Sequence, residues 1–287
     1  MKMTDYSILN PGGNITALVT SSVDIPLQPE TASRIMRKHP EVEQVGFVSF
    51  EDPAKGNIQA SLRMAGGEFC GNASMCTAAL SILRSPFLAA QDASDTSTTL
   101  SLRVSGSQDP VEVTLRQDDE NSFSAGIIMP PASGTEETAF SFHDLEGLIP
   151  CVRMDGISHI IIENSSPFYS LKDQPDFAEQ AVRSWCRRLG ADGLGLMFLM
   201  KDLSDPSLYQ LTPLVYVPCG NTVFWEHSCA SGSAATAIYL AKKTGHHVSL
   251  TFCEPGGILR AESDPVSGIT KLFGNVTLVA HYSSSIA

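Results

Sequence analysis

Two cysteines stand at the head of matched runs of small residues, Cys70-Gly71-Asn72-Ala73-Ser74 and Cys229-Ala230-Ser231-Gly232-Ser233. Each run opens a stretch rich in Ala, Ser and Thr that reads as a helix, one reaching about residue 83 and the other spanning 233–243. A helix N-terminus carries backbone N–H groups without internal partners and a partial positive charge. It therefore favours anions, a thiolate or a carboxylate among them. Small residues after the cysteine let a ligand approach that backbone closely.

Two such ends facing one another would place a sulfur on either side of a shared ligand. That arrangement suits inversion of a stereocentre next to a carboxylate. A thiolate removes the proton from one face and a thiol returns one to the other. Pooled N–H groups at the carboxylate would stabilise the carbanion. A free thiol titrates near ~8.5. A helix end contributes roughly 0.3–2 kcal/mol, at most about 1.5 pH units, while enclosure pushes the other way. Two neighbouring sulfurs titrate as a coupled pair, so the expected working state is one thiolate and one thiol.

The other five cysteines read differently. Cys76 lies on the same helix as Cys70 and is expected to pack. Cys151, Cys186 and Cys253 are expected in the core or on the surface, and the loop of Cys219 could reach the cleft. Seven cysteines without a C-x-x-C pair argue against structural zinc and against a disulfide framework. No metal is expected.

The positioning elements repeat. In the first half, strands at 6–9 and 15–20 flank the turn Pro11-Gly12-Gly13-Asn14. A helix over 31–39 follows Pro29, then strands at 45–50 and 58–64. After the first cysteine helix come strands near 100–104, 111–115 and 123–129. Residues 130–138, rich in Pro, Ser, Gly and Thr, read as a linker. The second half repeats the order, with strands near 157–163, 194–200, 211–217 and 222–225 and a helix near 177–189. Strands near 248–254, 257–261 and 269–280 follow the second cysteine helix. The expected domains are 1–125 with a returning strand at about 276–287, carrying Cys70, and 126–275, carrying Cys229.

Composition narrows the partners. The 287 residues carry 31 acidic and 19 basic side chains, a net charge of −12. Nucleic acid is a poor partner for that surface. No apolar run approaches the ~18 residues of a membrane span, and Asp5 sits where a signal peptide needs apolar residues. A cytoplasmic location is expected, without membrane association.

These motifs resemble the cofactor-independent amino-acid racemases and epimerases typified by diaminopimelate epimerase. Cys70-Gly71-Asn72-Ala73 resembles the first cysteine motif of that family. Cys229-Ala230-Ser231-Gly232 resembles the second, with Ala230 where glycine is usual. Gly13-Asn14 resembles an early Gly-Asn pair, and Gly156-Ile157-Ser158-His159 resembles a Gly-Asn-Pro-His stretch. The resemblance implies an α/β fold of two pseudo-symmetric domains, each a β-barrel-like sheet around a central helix. It implies a homodimer, no pyridoxal phosphate or other cofactor, and an amino acid as the small-molecule substrate. Cys70 and Cys229 become the acid/base pair. Asn14, Gly71, Asn72, Ala73, His159, Glu226, Ala230, Ser231 and Gly232 become the candidate substrate contacts.

Asn14 has an alternative as a plain turn residue, and Asn72 as a helix cap. Glu226 could pair with a substrate ammonium or be structural. Diaminopimelate epimerases carry an arginine shortly before the second cysteine, whereas no arginine lies between Arg188 and Arg260. Gly66-Gly67-Glu68-Phe69-Cys70-Gly71-Asn72 and Phe224-Trp225-Glu226 look more like histidine racemases of opine-metallophore pathways. A related branch, the phenazine-biosynthesis isomerase type, works through a carboxylate. Glu68 would suit that branch, and the cysteine pair argues against it. Histidine is thus the leading substrate, diaminopimelate the alternative. A non-catalytic amino-acid-binding or redox protein on the same fold is the reading from another class.

Overall fold

Strand alternation sets the inner and outer faces. In the strand Ile58–Met64, Ala60, Leu62 and Met64 are buried while Ser61 and Arg63 are partly exposed. The same alternation runs through the strand Val111–Gln117. The structure, a computed structural model, describes residues 3–51, 57–84 and 97–285. The last two residues of the expected terminal strand lie outside them. The chain is α/β and divides into two units, Met1–Ile128 with Phe273–Ala287, and Met129–Leu272.

The first unit contains β1 (Met3–Asn10), β2 (Thr16–Val19), α1 (Gln28–Lys38), β3 (Gln44–Phe50), β4 (Ile58–Met64), α2 (Gly71–Arg84), β5 (Thr98–Val104), β6 (Val111–Gln117) and β7 (Ser122–Ile128). The long last strand of the chain, β16 (Thr270–Ser285), completes it. The order β1-β2-β3-β4-β5-β6-β7-β16 closes on itself, because β16 also pairs antiparallel with β1. The result is an eight-stranded barrel without a free edge.

Helix α2 runs inside this barrel, with every residue from Gly71 to Ile82 buried. A helix enclosed on all sides needs small side chains, and its hydroxyls need local partners. Ser74, Thr77 and Ser81 each donate to the carbonyl four residues back, at 2.7–2.8 Å. Helix α1 covers the outside, packing Ala32 and Ile35 on Tyr6, Ile8, Ala17, Val19, Val45 and Phe47. It starts earlier than residue 31, because Pro29 lies within the first turn rather than ahead of it.

The second unit contains β8 (Gly134–Phe142), β9 (Leu145–Met154), β10 (Ile157–Glu163), α3 (Pro175–Leu189), β11 (Leu194–Lys201), β12 (Leu208–Val217), β13 (Thr222–Trp225), α4 (Ala230–Thr244), β14 (Val248–Glu254) and β15 (Gly257–Ser263). The sheet order is β8-β9-β10-β11-β12-β14-β15, with β13 on β12. Helix α4 packs against β9, β10, β11, β14 and β15, the counterpart of α2. Helix α3 covers the other face through Ala178, Ala181, Val182, Trp185 and Cys186, which meet Ile160, Ile162, Leu194, Leu196 and Phe198. Strands β10 and β11 are buried on both faces, and β11 reads as a near-continuous apolar run.

Pseudo-symmetry shows in the connections. The parallel pair β2–β3 is joined through α1, and the parallel pair β10–β11 through α3. The parallel pair β4–β5 is joined through α2, and β12–β14 through α4.

The expected linker at 130–138 is corrected. From Gly134 onward it is β8, hydrogen-bonded along its length to β9. Strand β8 lies at the end of the sheet order with most side chains at least partly exposed, so it lacks the apolar alternation that marks a half-buried strand. Among the described residues no helix is long and apolar enough to cross a membrane.

Candidate active site

Each unit presents one cysteine at the head of its central helix. In the first unit Cys70 occupies the N-cap position of α2. Its sulfur accepts the N–H of Ala73 at 3.3 Å, and its carbonyl accepts the N–H of Ser74 at 3.0 Å. Cysteine thus takes the place usually held by Ser, Thr, Asp or Asn. Asn72, with cap and ligand contact both open from sequence, lies in the first helical turn beyond the cap and is buried. Gly71 and Ala73 flank it on the same buried turn.

Asn14 follows the β1–β2 turn and is fully buried, its carbonyl accepting the Thr16 hydroxyl at 3.0 Å. Sequence reasoning missed Gln44, at the start of β3, whose side-chain oxygen accepts the Cys70 thiol at 2.8 Å. The loop that carries Cys70 is braced from β5. Ser105 accepts the Met64 N–H and donates to the Glu68 carbonyl, each at 2.9 Å. Gly106, at φ +72°, passes so close to the Phe69 backbone that a Cβ would overlap it.

In the second unit Cys229 caps α4 in an extended conformation, φ −128° and ψ 98°, and the helix begins at Ala230 rather than at the expected 233. Ala230, Ser231 and Gly232 form its buried first turn. The Cys229 sulfur lies 3.7 Å from the Ser231 hydroxyl. Gly232 permits close packing, since a Cβ there would overlap the Met197 sulfur and stand 3.1 Å from that of Cys229. Glu226 is buried, three residues before the cysteine. A second missed residue, Glu254 at the end of β14, accepts the Cys229 N–H at 2.5 Å and the Ser233 hydroxyl.

His159 is the third residue of β10 and is fully buried, on the strand face opposite Ile160 and Ile162. Its ring packs on Gly195, where a Cβ would overlap the imidazole, with the Met197 methyl beside it. Neither ring nitrogen has a hydrogen-bond partner among the described residues. Burial pushes its pKa down to about 3, so the ring is neutral.

The contest between helix end and enclosure is resolved at Cys229. Burial pushes its thiol well above the ordinary range, the carboxylates of Glu226 and Glu254 push the same way, and the Gly232 N–H opposes them. Burial also raises Glu254, to about 8, and raises Glu68 despite the nearby Arg63 charge. Cys76, fully enclosed in the barrel, is likewise held as a thiol by burial. Cys151 and Cys186 are buried, Cys253 is partly so, and Cys219 is exposed; none of the seven cysteines is in a disulfide. Among the described residues no three His, Cys, Asp or Glu side chains gather as a metal site.

The site residues therefore assemble as two sets. Asn14, Gln44, Cys70, Gly71, Asn72 and Ala73 belong to the first unit. His159, Glu226, Cys229, Ala230, Ser231, Gly232 and Glu254 belong to the second.

Comparison with known proteins bears on this arrangement. The family described as histidine racemase CntK N-terminal domain matches residues 3–283. A histidine racemase of Fusobacterium nucleatum is 31% identical over 250 residues, covering 84% of this chain and 83% of that protein. A histidine racemase of Staphylococcus aureus is 26% identical over 286 residues, 97% and 96% of the two chains. Among solved structures, a probable proline racemase from Agrobacterium radiobacter superposes with a TM-score of 0.65 at 11% identity, covering 99% of this chain and 93% of that one. A Bacillus anthracis phenazine biosynthesis protein of the PhzF family gives 0.61 at 13% identity, covering 99% and 100%. At those identities the structures establish the shared fold. The chain belongs to the histidine racemase CntK N-terminal domain family, and is an isomerase of the cofactor-independent amino-acid racemase and epimerase class.

Proposed function

We propose that the chain is a histidine racemase that inverts Cα with two cysteines, Cys70 and Cys229. The observation that carries this reading is the repeated seat of the two sulfurs, each at the cap of a buried central helix. One sulfur, as thiolate, takes the Cα proton. The electron pair stays on Cα, conjugated into the carboxylate. The opposite thiol then gives its proton to the other face. The enzyme finishes with the two protonation states exchanged, ready for the reverse direction.

The backbone N–H groups of the first turns are suited to the substrate carboxylate, where negative charge grows in the transition state. Asn72, Ser231 and Gly232 belong to this cradle, and Asn14 is a further substrate contact. Glu226 is suited to the substrate ammonium. His159, fully enclosed, supports the second unit from behind the first turn of α4 through Met197 and Gly195. Histidine as substrate is supported by the relatives named histidine racemase and by the missing arginine before Cys229. The reading extends to a homodimer in the cytoplasm, which sedimentation and cell fractionation check.

The decisive experiment incubates purified protein with L-histidine in deuterated water without added cofactor. D-Histidine should form with deuterium at Cα, while substrate recovered early stays protiated. A panel including LL-diaminopimelate separates the substrates. Turnover of another amino acid and not of histidine overturns the substrate, and failure to racemise any amino acid overturns the reaction.

A further inference from the structure

Glu254 has no part in the chemistry above, yet it accepts the backbone N–H of the second cysteine. It closes β14, a strand whose alternate residues Leu250, Phe252 and Glu254 are buried. An acid in the inward phase of such a strand costs desolvation unless something in the interior answers it. Here the partners come from the segment leading into α4 and from its first turn. One carboxyl oxygen accepts the Cys229 N–H and the other meets the Ser233 hydroxyl, with the Ser228 hydroxyl a further partner. The topologically matching strand of the first unit, β5, ends in Val104.

We propose that Glu254 is the positioning residue of Cys229, a buried carboxyl that fixes the backbone seat of the sulfur and sets the charge beside it. The inference rests on Cys229 working as an acid/base group and adds the means by which its state is set. The charged groups that bear on the Cys229 sulfur are Glu226, from the segment before α4, and Glu254, from β14. The facing side chain from β11 is Met197, which is neutral. His227 is exposed, and its carbonyl accepts the Gly256 N–H at 2.8 Å.

The carboxyl accepts at both oxygens, one from the Cys229 N–H and the other from the Ser233 hydroxyl. Burial raises its pKa to about 8, while the Ser233 hydroxyl and the Cys229 N–H favour the carboxylate. When the proton leaves, a negative charge appears beside the sulfur and opposes thiolate formation. Cys229 is thereby biased toward the thiol, the form that delivers a proton. The device works through Cys229, and Glu254 touches no reacting atom.

The test compares the Cys70→Ser protein with the Cys70→Ser/Glu254→Gln double variant. Gln keeps an acceptor for the Cys229 N–H and a group for Ser233, and removes the charge. Iodoacetamide labelling is followed from pH 6 to 10 by peptide mass spectrometry, which reads Cys229 apart from exposed Cys219. The midpoint for Cys229 should fall by about one pH unit or more in the Gln variant. In the Cys70-containing background, Glu254→Gln should move the basic limb of kcat/KM to lower pH while leaving KM within about twofold. An unmoved labelling midpoint in a variant whose Tm shows it folded overturns the proposal. Should Gln prevent folding, Glu254→Asp, which keeps the charge, is labelled instead. Its midpoint is expected to stay high, and a fall of a pH unit overturns the proposal. The labelling readout needs no turnover, so a failed racemase assay and a failed positioning role are told apart.

Discussion

The Cys70 thiol donates to the side-chain oxygen of Gln44 at 2.8 Å, joining the cap of α2 to the first residue of β3. The same sulfur accepts the Ala73 N–H, so it is held from two directions. Replacing Gln44 with Leu removes one restraint and leaves the other. A lost hydrogen bond of about 1 kcal/mol corresponds to roughly a five- to tenfold fall in kcat/KM, with Tm changed by only a few degrees. Unaltered kinetics in Gln44→Leu would mean that the contact does not orient the sulfur.

The two-cysteine mechanism predicts unequal consequences for the two halves of the reaction. Cys70→Ser and Cys229→Ser should each lower racemisation by about 10³-fold or more, the range for a lost general acid or base. Each variant should still exchange the Cα proton of one enantiomer with solvent faster than that of the other. Proton NMR of both enantiomers in deuterated water reads this directly. Equal residual exchange from both, or full activity in either variant, counts against the pair.

Gly232 has no room for a methyl group. A Cβ there would overlap the Met197 sulfur. Gly232→Ala should destabilise the protein by about 1–3 kcal/mol through overpacking. Met197→Ala added to it should return part of that loss, a coupling that urea denaturation of both singles and the double can measure. Strict additivity would show that the methionine moves aside freely.

His159 gives stability a defined pH dependence. Its pKa in the folded chain lies near 3, against about 6.5 in the unfolded chain. Between those values the unfolded chain binds the extra proton, so folding stability decreases as pH falls from about 6.5 toward 3. The contribution approaches about 1.4 kcal/mol per pH unit in that window. His159→Leu should flatten the urea midpoint against pH across pH 4–6.5 relative to the wild-type chain. Parallel curves for the two proteins refute the assignment.

Much of this was legible in the residues. Cys70 and Cys229 announce themselves because the small-residue helix after each is needed by any helix enclosed in a sheet. Their shared grammar survives without residue identity. Gln44 and Glu254 were harder to see, since each reaches its cysteine across about 25 residues of chain. Glu254 left one usable signal, an acid in the inward phase of Val248–Glu254 just before Pro255-Gly256. Strand β8 was lost in a polar stretch because a strand at the end of the sheet needs no alternation. The enclosure of His159 depends on Gly195 in the neighbouring strand, a pairing that no local pattern reveals.

The barrel of the first unit closes through β16, whose residues from Phe273 onward follow the second unit in the chain. A ribosome delivers the N-terminal seven strands and their enclosed helix long before the staple that seals them. Until β16 emerges, β1 and β7 remain open to pairing with strands of other nascent chains. Formation of the Cys70 half therefore awaits synthesis of the second unit, and removing Thr277–Ser285 of β16 should harm the beginning of the protein more than its middle.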